Sequence, residues 1–520
     1  MLLGLNEKPL LYQHLNQRLE PAEAAVWVLC GAAAIFGIWA LHVGWHNGIL
    51  DVHGWRQSHT AISVQEMLRG GPFWRYRTPI FGPPWQWPLE WPIYQWIVAV
   101  ASRASGVAIE SAGRAVSVVS FAGTLAALWF VLDALAVAPR HRPVFLALLG
   151  ASPLYIFWSR AFMIESTALF AGMTYVAAVH AATRSDARRG MPAAALAVLT
   201  GAAAGAIKVT TFVPFFGAVL FLLASRWSTD AVRRRRGVVW AMLLIPVVTA
   251  GAWLLFADAQ KTSNPLAMEL VWAGEREQRF GSLMDRLSWR SWSAVLGNAL
   301  LGRTRHTTVA SVWVFGASLA ALVATRRRGL IALACGVLYL LPIAIFMNLF
   351  RVHVYYSYEN GFLLLLIVGL GIVACLEGRM LMRCAGAGIL AAAIAAMSTN
   401  YLSGYFVDQN AGDMAPVTLA VLVNQWTPPD STLLIYGLRY APEIPYAASR
   451  RAIMDDKNRS VGDPQISQPL TALAREGGRV AAIIVCGEAR GLAVIRDNIA
   501  SLAFPARPRY REAYCELYVR

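Results

Sequence analysis

The chain has 520 residues, of which 57% are hydrophobic and only 15% charged. Soluble domains carry about 25% charged residues, so this composition excludes an ordinary soluble enzyme. The formal net charge of +16 does not imply nucleic acid either. The basic residues fall in short clusters between apolar runs, at Arg140 to Arg142, Arg188-Arg189, Arg233 to Arg236, Arg326 to Arg328, Arg379 and Arg383, the pattern of cytoplasmic loops in a polytopic membrane protein.

Met1 to Glu20 is polar, and no removable signal peptide is expected there. Tyr12, Leu15 and Leu19 would share one face of an interfacial helix. Apolar runs long enough to cross a bilayer are expected at residues 24–46, 114–138, 143–159, 161–182, 191–207, 210–226, 237–257, 309–325, 329–347, 359–376 and 384–400. The predicted fold class is therefore an α-helical polytopic membrane protein with about 11 transmembrane helices. With the N-terminus cytoplasmic, every arginine cluster lies inside and every polar, aromatic loop outside.

The first outer loop, Asn47 to Trp91, opens with Asp51-Val52-His53-Gly54-Trp55-Arg56-Gln57-Ser58-His59-Thr60. A carboxylate, two imidazoles and a guanidinium against a membrane boundary are costly to keep dry, which marks a catalytic or ligand loop. Asp51 is a candidate general base, since low-dielectric surroundings raise a carboxyl toward neutral pH. The alternative is a structural salt bridge from Asp51 to Arg56. His53 and His59, with Asp51 or Glu90, offer ligands to a divalent metal but match no strong metal-binding spacing; lone histidines in polar loops are more often hydrogen-bonded structural groups, and no metal cofactor is expected. Trp74, Trp85, Trp87, Trp91 and Trp96 suit the headgroup zone, and Trp91 to Ala104 reads as a short helix along the outer face.

Further along, Glu165 closes the run Ser159 to Glu165 about one turn inside the membrane edge. It either faces inward with a functional role or pairs with Arg160. Lys208, squeezed between two spans, either meets a phosphate or reaches to the outer headgroups. The outer loop from Asp258 to His306 has the mixed charge of a lid or of any solvated loop. In Asn348 to Asn360, Arg351, His353, Tyr355 and Tyr356 offer donors to a leaving phosphate, or form an aromatic belt.

After Tyr401 the pattern changes. Ser431 to Tyr436, Val480 to Cys486 and Ala513 to Val519 read as strands, and Gln468 to Arg475 and Leu492 to Ile499 as helices. Residues 1–400 are thus expected to form the transmembrane domain and 401–520 a small α/β domain with a mostly parallel sheet. If that domain is periplasmic, Cys486 and Cys515 are placed to pair; the other four cysteines read as packing residues. No P-loop, dinucleotide fingerprint or serine nucleophile elbow is present.

In order, Asp51, Trp87-Pro88-Leu89-Glu90-Trp91-Pro92-Ile93-Tyr94, Arg114, Ser159-Arg160 through Glu165, Lys208 and His353-Val354-Tyr355-Tyr356 resemble the GT-C superfamily of polyprenyl-phosphate-sugar glycosyltransferases. The similarity is to aminoarabinose lipid A transferases and protein O-mannosyltransferases, over residues 20–400. Two departures stand out. Val52 follows Asp51 where the mannosyltransferases have an Asp-Glu pair, and Glu165 stands where many members carry Asp. The resemblance implies an inverting transfer of a sugar from a polyprenyl-phosphate donor to a cell-envelope lipid, glycan or protein. It also implies a periplasmic site at the bacterial inner membrane. Asp51 would be the base and Glu165 would orient it or a sugar hydroxyl. Lys208, with His353 or Arg351, would hold the departing phosphate. Tyr355 and Tyr356 would line the lipid cleft, with His53, Arg56 and Glu90 contacting substrate. The alternative is a transporter or flippase of lipid-linked saccharides, whose ionisable groups would sit at the bilayer midplane rather than at outer helix ends.

Overall fold

The computed structural model describes residues 21–184, 187–271, 276–301, 307–325, 328–411 and 415–520. The interfacial helix expected at Tyr12 to Leu19 lies outside them. The helical elements used below are α1 (Pro21–His42), α2 (Gly54–Leu68), α3 (Ile93–Ser105), α4 (Ile109–Ala134), α5 (Arg142–Ala151), α6 (Pro153–Trp158), α7 (Glu165–Arg184), α8 (Ala187–Ile207), α9 (Val209–Arg226), α10 (Arg236–Lys261), α11 (Leu283–Leu287), α12 (Trp289–Leu300), α13 (Val312–Thr325), α14 (Gly329–Ile345), α15 (Met347–Val352), α16 (Ser357–Leu376) and α17 (Met380–Ser403).

Among the described residues, seven helices are long and apolar enough to cross a membrane, and α13 and α14 are shorter apolar helices. The chain is a membrane-embedded protein. The run expected to span at 143–159 is broken at Ser152, because Pro153 at the start of α6 has no N–H to continue α5. α3 has 13 residues, too short at 1.5 Å per residue to cross a core of about 30 Å.

α16 is the hub of the bundle. Every one of its residues is buried, as expected of a helix that is apolar on all sides. It packs against α13, α14, α17 and α5. The approach to α13 is backbone-close: a Cβ on Gly371 would sit 2.5 Å from the carbonyl oxygen of Ser318 and 2.7 Å from its Cα. Small residues permit such contacts, which matter most where lipid supplies no hydrophobic drive between helices.

The segment expected to be the first outer loop is not a loop throughout. Gly54–Leu68 forms a 15-residue helix, α2, in which Arg56, Gln57, Ser58, His59 and Thr60 are all buried. Its polar residues hide the 3.6-residue period because tertiary neighbours, not water, receive them.

The C-terminal part carries a five-stranded sheet: β1 (Thr432–Tyr436), β2 (Arg451–Asp455), β3 (Val480–Cys486), β4 (Tyr510–Arg511) and β5 (Cys515–Val519), in the order β2-β1-β3-β5-β4. β1 runs parallel to β2 and β3, whereas β5 is antiparallel to β3 and β4. The expected mostly parallel sheet is therefore mixed. β4 and β5 are joined by three residues, which allows only an antiparallel return. Cys486 and Cys515 face each other across β3 and β5 and form a disulfide.

The sheet is docked onto the segment that follows α1. The amides of Ala452 and Met454 donate to Pro79 and Ile80 at 2.8 Å each, so residues 79–82 run along the outer edge of β2. Buried Glu66 of α2 accepts from Arg451 of β2 at 3.0 Å. Asn264 Nδ2, after α10, donates to the carbonyls of Phe81 and Gly82 at 3.0 and 3.1 Å.

Replacing Gly371 by Leu must push α13 from α16. The expected cost is about 1–3 kcal/mol, read as a lower midpoint of thermal unfolding in detergent. Leu at Gly388, where a Cβ meets nothing within 4 Å, should leave the midpoint unchanged.

Candidate active site

Two buried guanidinium groups shape the turn that follows α1. Arg160 donates to the carbonyls of Leu41, Val43 and Gly44. Arg114 donates to those of Trp45, Asn47 and Gly48 at 2.5, 2.6 and 2.9 Å. Buried cations persist only when hydrogen-bonded in this way, and here they serve carbonyls at and just beyond the C-terminal end of α1. The turn delivers Asp51 to a recess, where Gln57 Nε2 donates to Oδ1 at 2.5 Å. Gln57 Oε1 in turn accepts from the Phe162 amide at 2.9 Å, tying Asp51 to the segment before α7. Burial pushes the Asp51 carboxyl up to about 6, against the opposing charges of Arg114 and Arg160 and the Gln57 hydrogen bond.

His53 sits in the left-handed region, with φ 54°. Its ring packs 5.4 Å from Tyr355, 5.7 Å from Trp158 and 6.0 Å from His353. Trp55 lies 5.5 Å from His353. Strained non-glycine backbone concentrates at functional sites. Burial lowers both imidazoles. His353 falls to about 4, with the positive charge of Arg56 and Lys208 adding to that effect, so it is neutral at pH 7. Asp51, His53, Trp55, His353 and Tyr356 are each partly exposed.

Against the Tyr355 and Tyr356 rings lies a buried ion cluster. α8 ends at Ile207 and α9 begins at Val209, leaving Lys208 as a single extended residue between them. Its ammonium contacts Glu165 Oε1 at 2.8 Å and also Glu359 Oε1. It stands 4.4 Å from the ring centre of Tyr356 and 5.1 Å from that of Tyr355. All three ionisable side chains are buried. Both carboxylates open a helix, where the N-terminal dipole favours negative charge.

The structure brings Asp51, Glu165, His53, Lys208, His353, Tyr355 and Tyr356 into one neighbourhood. Arg56 does not bridge to Asp51; it pairs with Glu90 and lies 3.3 Å from His59 Nδ1. Nor does Arg160 pair with Glu165, because its donors are taken by the end of α1. Lys208 neither reaches toward headgroups nor stands as a free cation. Arg351 is outside the group, exposed and paired with Asp285 at 2.9 Å. Among the described residues, no three His, Cys, Asp or Glu side chains converge as a metal site. Three participants escaped the sequence reading: Gln57, Trp158 and Glu359. Glu359 did leave a signal, as a lone acid opening the apolar run of α16.

No family model matches the chain, and no curated protein sequence matches it. Solved structures do. The chain superposes on ArnT from Cupriavidus metallidurans bound to undecaprenyl phosphate with a TM-score of 0.63, at 14% identity, covering 95% of this chain and 97% of that one. The apo state of the same protein gives 0.62. The archaeal oligosaccharyltransferase AglB from Archaeoglobus fulgidus, in complex with an inhibitory peptide and a dolichol-phosphate, gives 0.52 at 11% identity, covering 89% and 69%. The chain has the fold of ArnT.

If Lys208 holds two buried carboxylates, Lys208→Met should destabilise the protein by about 3–5 kcal/mol, the cost of orphaning buried charge. Combining it with Glu165→Gln and Glu359→Gln should restore much of the loss. An unchanged unfolding midpoint in the single variant would refute the ion cluster.

Proposed function

We propose that this protein is an inverting glycosyltransferase that moves a sugar from a polyprenyl-phosphate donor to a cell-envelope acceptor. The observation that carries the reading is Asp51, a recessed carboxylate raised toward neutrality beside a cleft of imidazole, phenol and indole groups. The shared fold supports it, since ArnT was solved with undecaprenyl phosphate and AglB with a dolichol-phosphate.

In the proposed step Asp51 takes the proton of an acceptor hydroxyl as that oxygen attacks the anomeric carbon. The bond from that carbon to the phosphate oxygen breaks, and the electron pair leaves with polyprenyl phosphate. Neutral His53 and His353 and the Tyr356 hydroxyl are placed to donate to the departing phosphate. Lys208 has a less direct role. Neutralised by Glu165 and Glu359, it fixes Tyr355 and Tyr356 from behind. Arg56 and Glu90 brace α2 against the end of the first outer segment, and Arg351 acts on the loop around Asp285 rather than on substrate. No step requires a metal.

The same proposal places the site at the periplasmic face of a bacterial inner membrane, with 11 spans counted from the sequence, a cytoplasmic N-terminus and the sheet domain outside. The Cys486–Cys515 disulfide suits an oxidising compartment. The ionisable groups gather at helix ends, and no observation favours transport.

The test is release of free polyprenyl phosphate from a radiolabelled polyprenyl-phosphate sugar by the purified protein; donor left intact in the presence of envelope acceptors would overturn the assignment. A base must be ionised, so kcat/KM should rise with pH through about 6 and collapse below it. Asp51→Asn should cost about 10²–10⁴-fold on a hydroxyl acceptor. On a phosphate acceptor, already ionised, the same variant should stay active.

A further inference from the structure

The outer loop between α10 and α13 is built inside out for water. In α11 and at the start of α12, Leu283, Met284, Leu287 and Trp289 are 67%, 73%, 71% and 79% exposed. Asp285 and Arg286 of the same turn are less exposed and are bonded to the protein. Asp285 accepts from the Ser282 amide at 3.0 Å and from Arg351 of α15 at 2.9 Å. Arg286 donates to the Phe280 carbonyl at 3.0 Å. A surface helix in water shows its charges outward and its leucines inward. This one does the reverse, which is the arrangement an apolar solvent selects.

The position fits the same solvent. α15 follows directly on the apolar helix α14, and the loop is fastened to it by Asp285–Arg351 and by Asn348 Nδ2 donating to the Gln278 carbonyl at 2.8 Å. Val352 at the end of α15 and Trp313 at the start of α13 are exposed apolar residues at the same bundle end. The apolar patch thus continues the lipid-facing belt of α13 and α14. Indole and basic groups such as Trp289 and Arg290 are the residues favoured where acyl chains meet headgroups.

We propose that α11 and the first turn of α12 are embedded in the outer leaflet, with Leu283, Met284, Leu287 and Trp289 among the acyl chains. The loop is then a membrane-inserted foot, and Asp285–Arg351 links it to α15, whose next residue is His353. This placement concerns the bilayer alone and holds whatever reaction the cleft performs.

The test uses the full chain in lipid nanodiscs. Cys384→Ser removes the exposed thiol and leaves only buried free cysteines among those described. Nitroxide labels go on Leu287→Cys and, separately, on Met284→Cys. Val337→Cys in α14 serves as the lipid reference and Arg507→Cys in the sheet domain as the water reference. Collision with oxygen should exceed collision with an aqueous nickel chelate at 284 and 287, as at 337, and the order should reverse at 507. Nickel-dominated collision at 284 and 287 would overturn the proposal. So would shielding of both labels from both reagents, which would assign the patch to a protein partner or a second copy.

Discussion

One ammonium group ties the bundle together at the level of the cleft. Lys208 sits at the only non-helical residue between α8 and α9, Glu165 opens α7, and Glu359 lies in the first turn of α16. Four helix ends therefore meet on a single cation. In a low-dielectric interior such a charge is tolerated only with close partners, so the helices are held to one mutual height. Tyr355 and Tyr356 lean on the same ammonium, and through them His53 and His353 inherit its position.

This arrangement separates two kinds of charge. The ion cluster is buried, with one ammonium set between two carboxylates. Asp51 is recessed but partly exposed, and its surroundings are Gln57, Arg114 and Arg160. Gln57 links the Asp51 turn to the segment that leads to Glu165, since its side chain donates to Asp51 at one end and accepts from the Phe162 amide, three residues before Glu165, at the other. Preorganisation of this kind lets reacting groups meet at fixed distance without reorganising at each turnover.

Much of this was legible beforehand. Apolar runs located nearly every long helix, since about 20 such residues have few other fates. Asp51, Glu165, Lys208 and His353 stood out because ionisable groups at a membrane edge are expensive. Pairings were less legible. Arg56 found Glu90 and not Asp51, and Arg160 found the end of α1 and not Glu165. Charge alone cannot choose among partners that the fold brings together from 34 or 119 residues away. α2 was missed for a related reason: its polar residues are buried against other protein, so no apolar stripe betrays it. β2 was missed as well, being five residues long and starting with Arg451.

The strand-like stretch at 79–82 has an implication for how the molecule can be divided. It covers the outer edge of β2 with main-chain contacts from a segment some 370 residues earlier. Excised alone, the C-terminal sheet would bare a row of unpaired amides and carbonyls, a template on which further copies could stack into aggregates. The two halves of this chain are thus obliged to mature together.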